Sequence, residues 1–425
     1  MKIAAVIAEY NPFHNGHAYQ LKEIRRQTNA DFILVMMSGD FVQRGAPACM
    51  DKYTRCHMAL AAGADIVCEL PVYGALGSAE IFAESAVSLL NHLGCINFLC
   101  FGAETPDLEL FNAIVPVLSD EPEAYRSLLQ AALKSGMNFP AARSHALCSL
   151  IKNEKCSDIL NQPNNILAIE YMKALYKTGS TIHPVPIRRM GAGYHSTDTS
   201  ASFSSATAIR QQLAAGTSSQ TETAQALNLH HTQDILDTLD IPDTSKTLVQ
   251  SYLENYPILT PNDFSDILAM RLLDLQTHLT EYVDIGQDLA NRIDSFRYQF
   301  ISTEQFTTLL SARNLTSTRI ARCLFHMILG HTDHHLDAWR KQQYSGYLRV
   351  LGFKKQSGRI WKEIAPEFKG QLITRTAEAR EQLSGIGLTA YEADLYASRL
   401  YRQILRNRSG KQLPDITSEP VIIWP

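Results

Sequence analysis

The 425-residue sequence has no apolar run approaching the roughly 18 residues needed to cross a bilayer. Charge breaks every apolar stretch within a few positions. That excludes a membrane-spanning helix and predicts no membrane partner. The apolar start from Met1 to Ile7 is too short for a secretory signal and runs at once into Glu9 and Pro12, so a cytoplasmic location is expected. No Cys-x-x-Cys pair occurs among Cys49, Cys56, Cys68, Cys95, Cys100, Cys148, Cys156 and Cys323. Neither a zinc knuckle nor a disulfide framework is supported, and in a reducing compartment these thiols behave as small buried hydrophobes. Positive charge is scarce in residues 1–300, with 21 Lys+Arg against 32 Asp+Glu, whereas residues 301–425 carry 18 against 11. A basic final third points to an anionic partner, with a polyphosphate such as RNA the obvious candidate; a solvated helical surface is the plain alternative.

What is present is a regular alternation. Apolar runs at 3–7, 32–37, 65–68 and 96–101 alternate with helical patterns beginning at Gly16, at Lys52 and at Ala79. Short continuous apolar runs between amphipathic helices predict buried parallel strands in βαβ units. The expected fold is α/β, a Rossmann-like doubly wound parallel sheet whose ligand site lies beyond the carboxyl ends of the strands. Residues 105–180 read as mainly helical, and 181–187 as a late strand returning to the sheet. The small polar stretch 214–224 is the best linker. It divides an α/β domain at 1–215 from a mainly helical, basic region at 225–425. The helical spacing of Ile320, Cys323, Leu324, Met327 and Ile328 illustrates the second region.

The strongest chemical signal lies where the first strand meets the first helix, at His14-Asn15-Gly16-His17. A helix N-terminus offers unpaired backbone N–H groups and partial positive charge to a phosphate. Gly16 permits close backbone approach, and two imidazoles three residues apart can both donate to phosphoryl oxygens as charge builds there. Nucleotidyl transfer is mainly positioning and electrostatic stabilisation and needs no protein nucleophile. A second element, Ser205, Thr207 and Arg210 at a helix start, could close over phosphates, although an ordinary N-capped helix has the same appearance. Gly39 to Gly45 follows the second strand and could shape an acceptor pocket. His331, His334 and His335 read as a solvated helix end, since no carboxylate or cysteine set completes a metal site; no protein-held metal is expected. Arg313, Arg319, Arg322 and Arg349, with Lys354, Lys355 and Arg359, are the candidate RNA contacts.

The segments from Ala8 to His17 and from Met37 to Gly45 resemble the bacterial tRNA(Met) cytidine acetate ligases, within the wider nucleotidylyltransferase superfamily. The likeness continues through Glu69-Leu70-Pro71, Phe101 to Glu104, Pro163 to Leu167, Ser205 to Arg210, Thr318-Arg319 and Arg349 to Phe353. It implies ATP-dependent formation of N4-acetylcytidine at the wobble position of elongator tRNA(Met). Acetate would attack the α-phosphate to give acetyl-adenylate and pyrophosphate, with Mg²⁺ arriving on the triphosphate. It implies catalytic roles for His14 and His17. The implied ATP site comprises Ile7, Ala8, Glu9, Tyr10, Asn11, Pro12, Phe13, His14, Asn15, Gly16, His17, Ala18, Tyr19, Gln20, Gly102, Asn164 and Arg189. Arg189 rather than Arg188 is chosen by its distance from Tyr194-His195. The superfamily's phosphate-closing motif has two adjacent serines, where this chain has Ser205-Ala206, so one hydroxyl is missing. The runner-up reading is a small-molecule nucleotidylyltransferase, which leaves the basic helical region without a task. A non-catalytic RNA-binding protein is the third.

Overall fold

The computed structural model describes residues 1–153, 155–189, 206–216, 236, 238–274, 278–361, 363–364, 368 and 370–425. Ten strands occur among them: β1 Ile3–Ala8, β2 Phe32–Ser38, β3 Phe41–Val42, β4 Ala46–Pro47, β5 Ile66–Leu70, β6 Phe98–Ala103, β7 His183–Arg188, β8 Gly346–Lys354, β9 Gly370–Ile373 and β10 Ile422–Trp424. Eight form one sheet in the order β10-β8-β5-β2-β1-β6-β7, with β9 also paired to β8. The β1–β2, β2–β5, β1–β6 and β6–β7 pairs are parallel.

Every residue of β2 and β5 is buried, because helices cover both faces of the sheet. Alternate residues divide between the faces as the period-2 geometry of a strand requires. Val6, Val35 and Val67 join Leu21 and Ile24 of the helix Asn15–Thr28 and Met58 of the helix Lys52–Ala61. Ala5, Leu34 and Ile66 face the other way, onto Phe82 of the helix Ala79–His92, Phe111 of Leu108–Asp120 and Ile169 of Pro163–Lys177. From β1 the chain steps outward through β2 to β5, then returns to place β6 on the opposite side of β1. The crevice between β1 and β6 is therefore the topological switch point, where ligands bind in such sheets.

The mainly parallel, two-faced sheet agrees with the expected α/β class. The residues past 225 are mainly helical, but they also extend that sheet. β8 pairs antiparallel with β5, with a register shift between Val67 and Cys68, and β10 pairs parallel with β8. One hydrophobic cluster runs from Val6 and Leu21 through Leu268, Leu324 and Tyr401. The division expected at 214–224 thus does not separate two cores, and residues 217–224 lie outside the described residues. β8 escapes a periodicity reading because Arg349 interrupts its apolar run.

β3 and β4 form a hairpin after β2. Gly45 at its turn has φ +76°, and a Cβ there would lie 2.4 Å from the Arg322 backbone nitrogen on the helix Ser317–Leu329. Gly45→Ala therefore combines left-handed strain with overlap against a helix backbone. The expected loss is about 2–4 kcal/mol of stability, measurable by urea unfolding; an unchanged midpoint would show that the hairpin shifts freely.

Candidate active site

β1 ends at Ala8 and the next helix begins at Asn15, so the connecting turn Glu9 to His14 is short and deeply seated. Tyr10 holds φ +48°, in the left-handed region, and is fully buried. Its ring packs 4.8 Å from Phe13 and 4.8 Å from His17. Strained backbone of this kind persists only where its surroundings over-determine it.

His14 caps the helix. Its Nδ1 accepts the Gly16 N–H at 3.1 Å, and Nδ1 of His17 accepts the His14 N–H at 3.3 Å. The two rings stack with centroids 3.7 Å apart. A neutral imidazole whose Nδ1 accepts must carry its proton on Nε2, so both rings are fixed as Nε2–H donors. Burial, helped by Arg189, pushes His14 down to about 4, although Asp240 opposes it. Burial, His14 and Arg189 push His17 well below its ordinary range. At neutral pH both rings donate without carrying charge.

The open backbone amides expected at this helix start are not there. Asn15 N–H donates to the Asp240 carbonyl at 3.1 Å, Gly16 N–H to His14 Nδ1, and His17 N–H to the His14 carbonyl at 2.9 Å. The Asn15 amide also donates to Asp240 Oδ1 at 2.6 Å. Anion recognition at this turn therefore falls to the imidazoles rather than to the peptide groups.

These rings open into a cleft of about 290 Å³ at the switch point. Ile7, Ala8, Glu9, Tyr10, Asn11, His14, His17 and Gln20 line it, as do Gly102, Asn164, Arg189, Thr207 and Arg210. Pro12, Phe13, Asn15, Gly16, Ala18 and Tyr19 are not among its lining residues. Phe13 is buried behind Tyr10 and His17, and Asn15 is turned towards Asp240. Arg188 does not line it either. A Cβ at Gly102 would stand 3.1 Å from Arg189 Cγ, so the glycine lets that side chain lie across the end of β6. Glu104 accepts the Asn164 amide at 2.6 Å and the Asn165 N–H at 3.0 Å, which fixes the start of the helix Pro163–Lys177.

On the other side, Arg210 donates to the Asn11 carbonyl at 2.6 Å and to the Thr207 hydroxyl at 3.0 Å, and Arg44 approaches the same hydroxyl at 3.5 Å. Thr207 and Arg210 belong to the helix Ala206–Gly216. Ser205 lies outside the described residues, as do Tyr194 and His195. Sequence reading missed the apolar wall of Ala79, Phe82, Phe101, Leu167 and Tyr171. Phe101 and Leu167 fall within segments that carry the family resemblance, but nothing distinguishes Ala79, Phe82 and Tyr171 from core, because each belongs to a helix that also packs inward.

Beneath the hairpin lies a buried ionic cluster. Lys52 Nζ is 2.6 Å from Glu69 Oε1, 2.7 Å from Ser398 Oγ and 3.7 Å from Asp40 Oδ2. Arg349 Nη1 lies 3.4 Å from the other oxygen of Glu69, and Arg349 also donates to the Tyr53 hydroxyl. Asp394 accepts the Val72 N–H at 2.6 Å and the Tyr347 hydroxyl. Burial and the nearby Glu69 carry Asp394 up to about 7. Arg55, fully buried, donates to the carbonyls of Glu9, Ser38, Gly39 and Met50, which ties the ends of β1 and β2 together.

Arg349 therefore leaves the set of RNA candidates: it is 2% exposed and its charge is met inside the protein. Arg319 donates to the Asp284 carboxylate at 3.1 and 3.2 Å, and Arg322 is mostly buried, 4.0 Å from the same carboxylate. Of the four, Arg313 alone is exposed. His331 is also not a solvated helix end. It is buried, stacks 4.1 Å from Tyr73 and meets His326 at 3.1 Å. Among the described residues no group of three or more His, Cys, Asp or Glu is placed to hold a metal ion, and no helix is long and apolar enough to cross a membrane.

Comparison with known proteins gives a consistent result. Residues 1–414 match the HIGH Nucleotidyl Transferase family. A Thermoanaerobacter sp. (strain X514) protein named tRNA(Met) cytidine acetate ligase is 37% identical over 415 residues, covering 96% of this chain and 97% of its own length. A protein of the same name from Acetivibrio thermocellus is 33% identical over 426 residues, covering 100% of each. The crystal structure of Thermotoga maritima TmcAL bound with alpha-thio ATP superposes with a TM-score of 0.86 at 27% identity, covering 100% of both chains.

Proposed function

From the premise that the chain belongs to the HIGH nucleotidyl transferase family and, within it, to the tRNA(Met) cytidine acetate ligases, we propose that its cleft activates acetate with ATP and transfers the acetyl group to the wobble cytidine of elongator tRNA(Met). The chain is an enzyme, an ATP-dependent ligase. One observation carries the mechanistic reading: two imidazoles locked as Nε2–H donors face a cleft flanked by Arg44, Arg189 and Arg210.

A carboxylate oxygen of acetate attacks the α-phosphorus and pyrophosphate leaves. Negative charge grows on the phosphoryl oxygens in the transition state, where preorganised donors contribute most. His14 and His17 occupy that role. The guanidinium groups of Arg210 and Arg44 hold the departing phosphates, and Arg189, across Gly102, holds the nucleotide on the β6 side. The hydroxyl lost at Ala206 leaves Ser205, Thr207 and Arg210 to close over the phosphates. Mg²⁺ arrives on ATP's own oxygens. Glu9 is the single carboxylate among the described lining residues and is faced by Arg44, Arg210 and Arg55, so the described residues offer no cage of their own for the ion.

Residues 1–215 supply the nucleotide chemistry in this reading, and the basic surface of the region past 225, Arg313 included, receives the tRNA. The protein works in the cytoplasm, where ATP, acetate and tRNA are found together. Incubation with ATP, labelled acetate and unmodified bulk tRNA is expected to move label into tRNA only when ATP is present. Pyrophosphate exchange driven by some other metabolite, with unlabelled tRNA, would favour the small-molecule nucleotidylyltransferase.

A further inference from the structure

We propose that Glu9 is the general base of the acetyl-transfer step, taking the proton that the cytidine N4 amine loses as it attacks the acetyl-adenylate. The role rests on the ligase reading above. The amine's lone pair is delocalised into the cytosine ring, and bonding to the acyl carbon leaves the nitrogen positive and strongly acidic. The step balances as follows: the N4–C bond forms, the acyl C–O bond to phosphate breaks with its electron pair leaving on AMP, and one N–H proton passes to a carboxylate. The products are N4-acetylcytidine, AMP and a protonated Glu9. Acetate activation needs no such acceptor, because acetate enters as an anion.

Among its described residues the cleft offers one group able to take that proton. Both histidines have Nδ1 engaged by backbone N–H groups and Nε2 already protonated. Tyr10 and Tyr171 are held protonated, since burial raises both phenols above their ordinary range. Among the described residues Glu9 is the only acidic side chain lining the cleft. Its Oε1 accepts the Gln43 N–H at 2.9 Å, which anchors one carboxyl oxygen, and no described side chain hydrogen-bonds the other.

Four groups face Glu9 from the elements packed around it. They are Arg44 from the β3–β4 turn, Arg210 from the helix Ala206–Gly216, Arg55 from the helix Lys52–Ala61 and Tyr171 from the helix Pro163–Lys177. Burial outweighs the three cations, so the carboxyl titrates above its ordinary range. A base with a raised pKa accepts a proton more readily.

Glu9→Gln keeps the volume and an acceptor for Gln43 and removes the basicity, together with the negative charge that Arg44, Arg210 and Arg55 face. Because Glu9 also lines the ATP cleft, acetate-dependent exchange of pyrophosphate into ATP should fall in the variant, but by far less than acetyl transfer does. Single-turnover acetyl transfer to tRNA should fall by roughly 100-fold or more. The rise of wild-type transfer with pH, as the carboxyl loses its proton, should vanish, and Glu9→Asp should restore both part of the rate and the pH limb. Exchange falling in step with transfer would overturn the role in favour of substrate binding, and undiminished transfer would overturn it outright. A wild-type protein whose exchange ignores acetate and whose tRNA stays unlabelled would overturn the ligase reading itself, and this role with it.

Discussion

His17→Ala is expected to lower acetate-dependent pyrophosphate exchange by on the order of 100- to 1000-fold, the effect of removing one preorganised donor from a developing oxyanion. The substitution also removes the acceptor for the His14 N–H and a ring that Tyr10 packs against, so folding must be separated from chemistry. His17→Asn separates them. Its side-chain oxygen can take over the Nδ1 contact, while nothing reaches the position of Nε2. Both variants should lose activity alike and keep tRNA affinity, but the asparagine should recover about 1 kcal/mol of capping stability. An asparagine variant that exchanges at the wild-type rate would show that Nε2 donation is not the source of catalysis.

Lys52→Met should be the most destabilising of these changes, by about 3–5 kcal/mol, because it leaves buried carboxylates short of a counter-charge. Asp40 and Glu69 are only 5% and 3% exposed, and Lys52 lies between them. Burial alone would raise the Asp40 carboxyl, but Lys52 and Arg55 more than offset it and hold the group below its ordinary range. A depressed carboxyl contributes stability that is present above its unfolded pKa and lost as pH falls through the folded value. Urea unfolding of wild type and variant should therefore differ most near neutrality. The gap should narrow below about pH 4, where the unfolded carboxylates take up protons. A gap independent of pH would mean that the methionine fails through packing instead.

The part of the fold that was legible from sequence is the part made of local pattern. Continuous apolar runs mark β1, β2, β5 and β6, and the spacing of His14, Gly16 and His17 marks the turn between the first strand and helix. The rest depends on partners far apart in the chain. Arg349 reads as surface until Glu69 and Tyr53, some 280 residues earlier, are seen beside it. Asp240 sits in an unremarkable polar stretch, yet it closes the start of the histidine helix. His331 resembles an exposed histidine because sequence shows neither Tyr73 nor His326 packed upon it. Glu9 was readable as part of a motif, but its being the lone acid among the described residues of the cleft is a property of what surrounds it.

The antiparallel pairing of β8 with β5 also bears on how the chain is made. β5 ends at Leu70 and β8 begins at Gly346. A ribosome adding 5–20 residues per second needs roughly 15–60 s to synthesise the stretch between them. For that interval the nascent sheet carries an unpaired edge that is apolar except at Glu69, the kind of template on which strands of other chains assemble. The hydrogen-bonding partner that finally closes it arrives with Arg349, which meets the Glu69 oxygen that Lys52 leaves free, so edge closure and completion of the charge balance at Glu69 happen in one event.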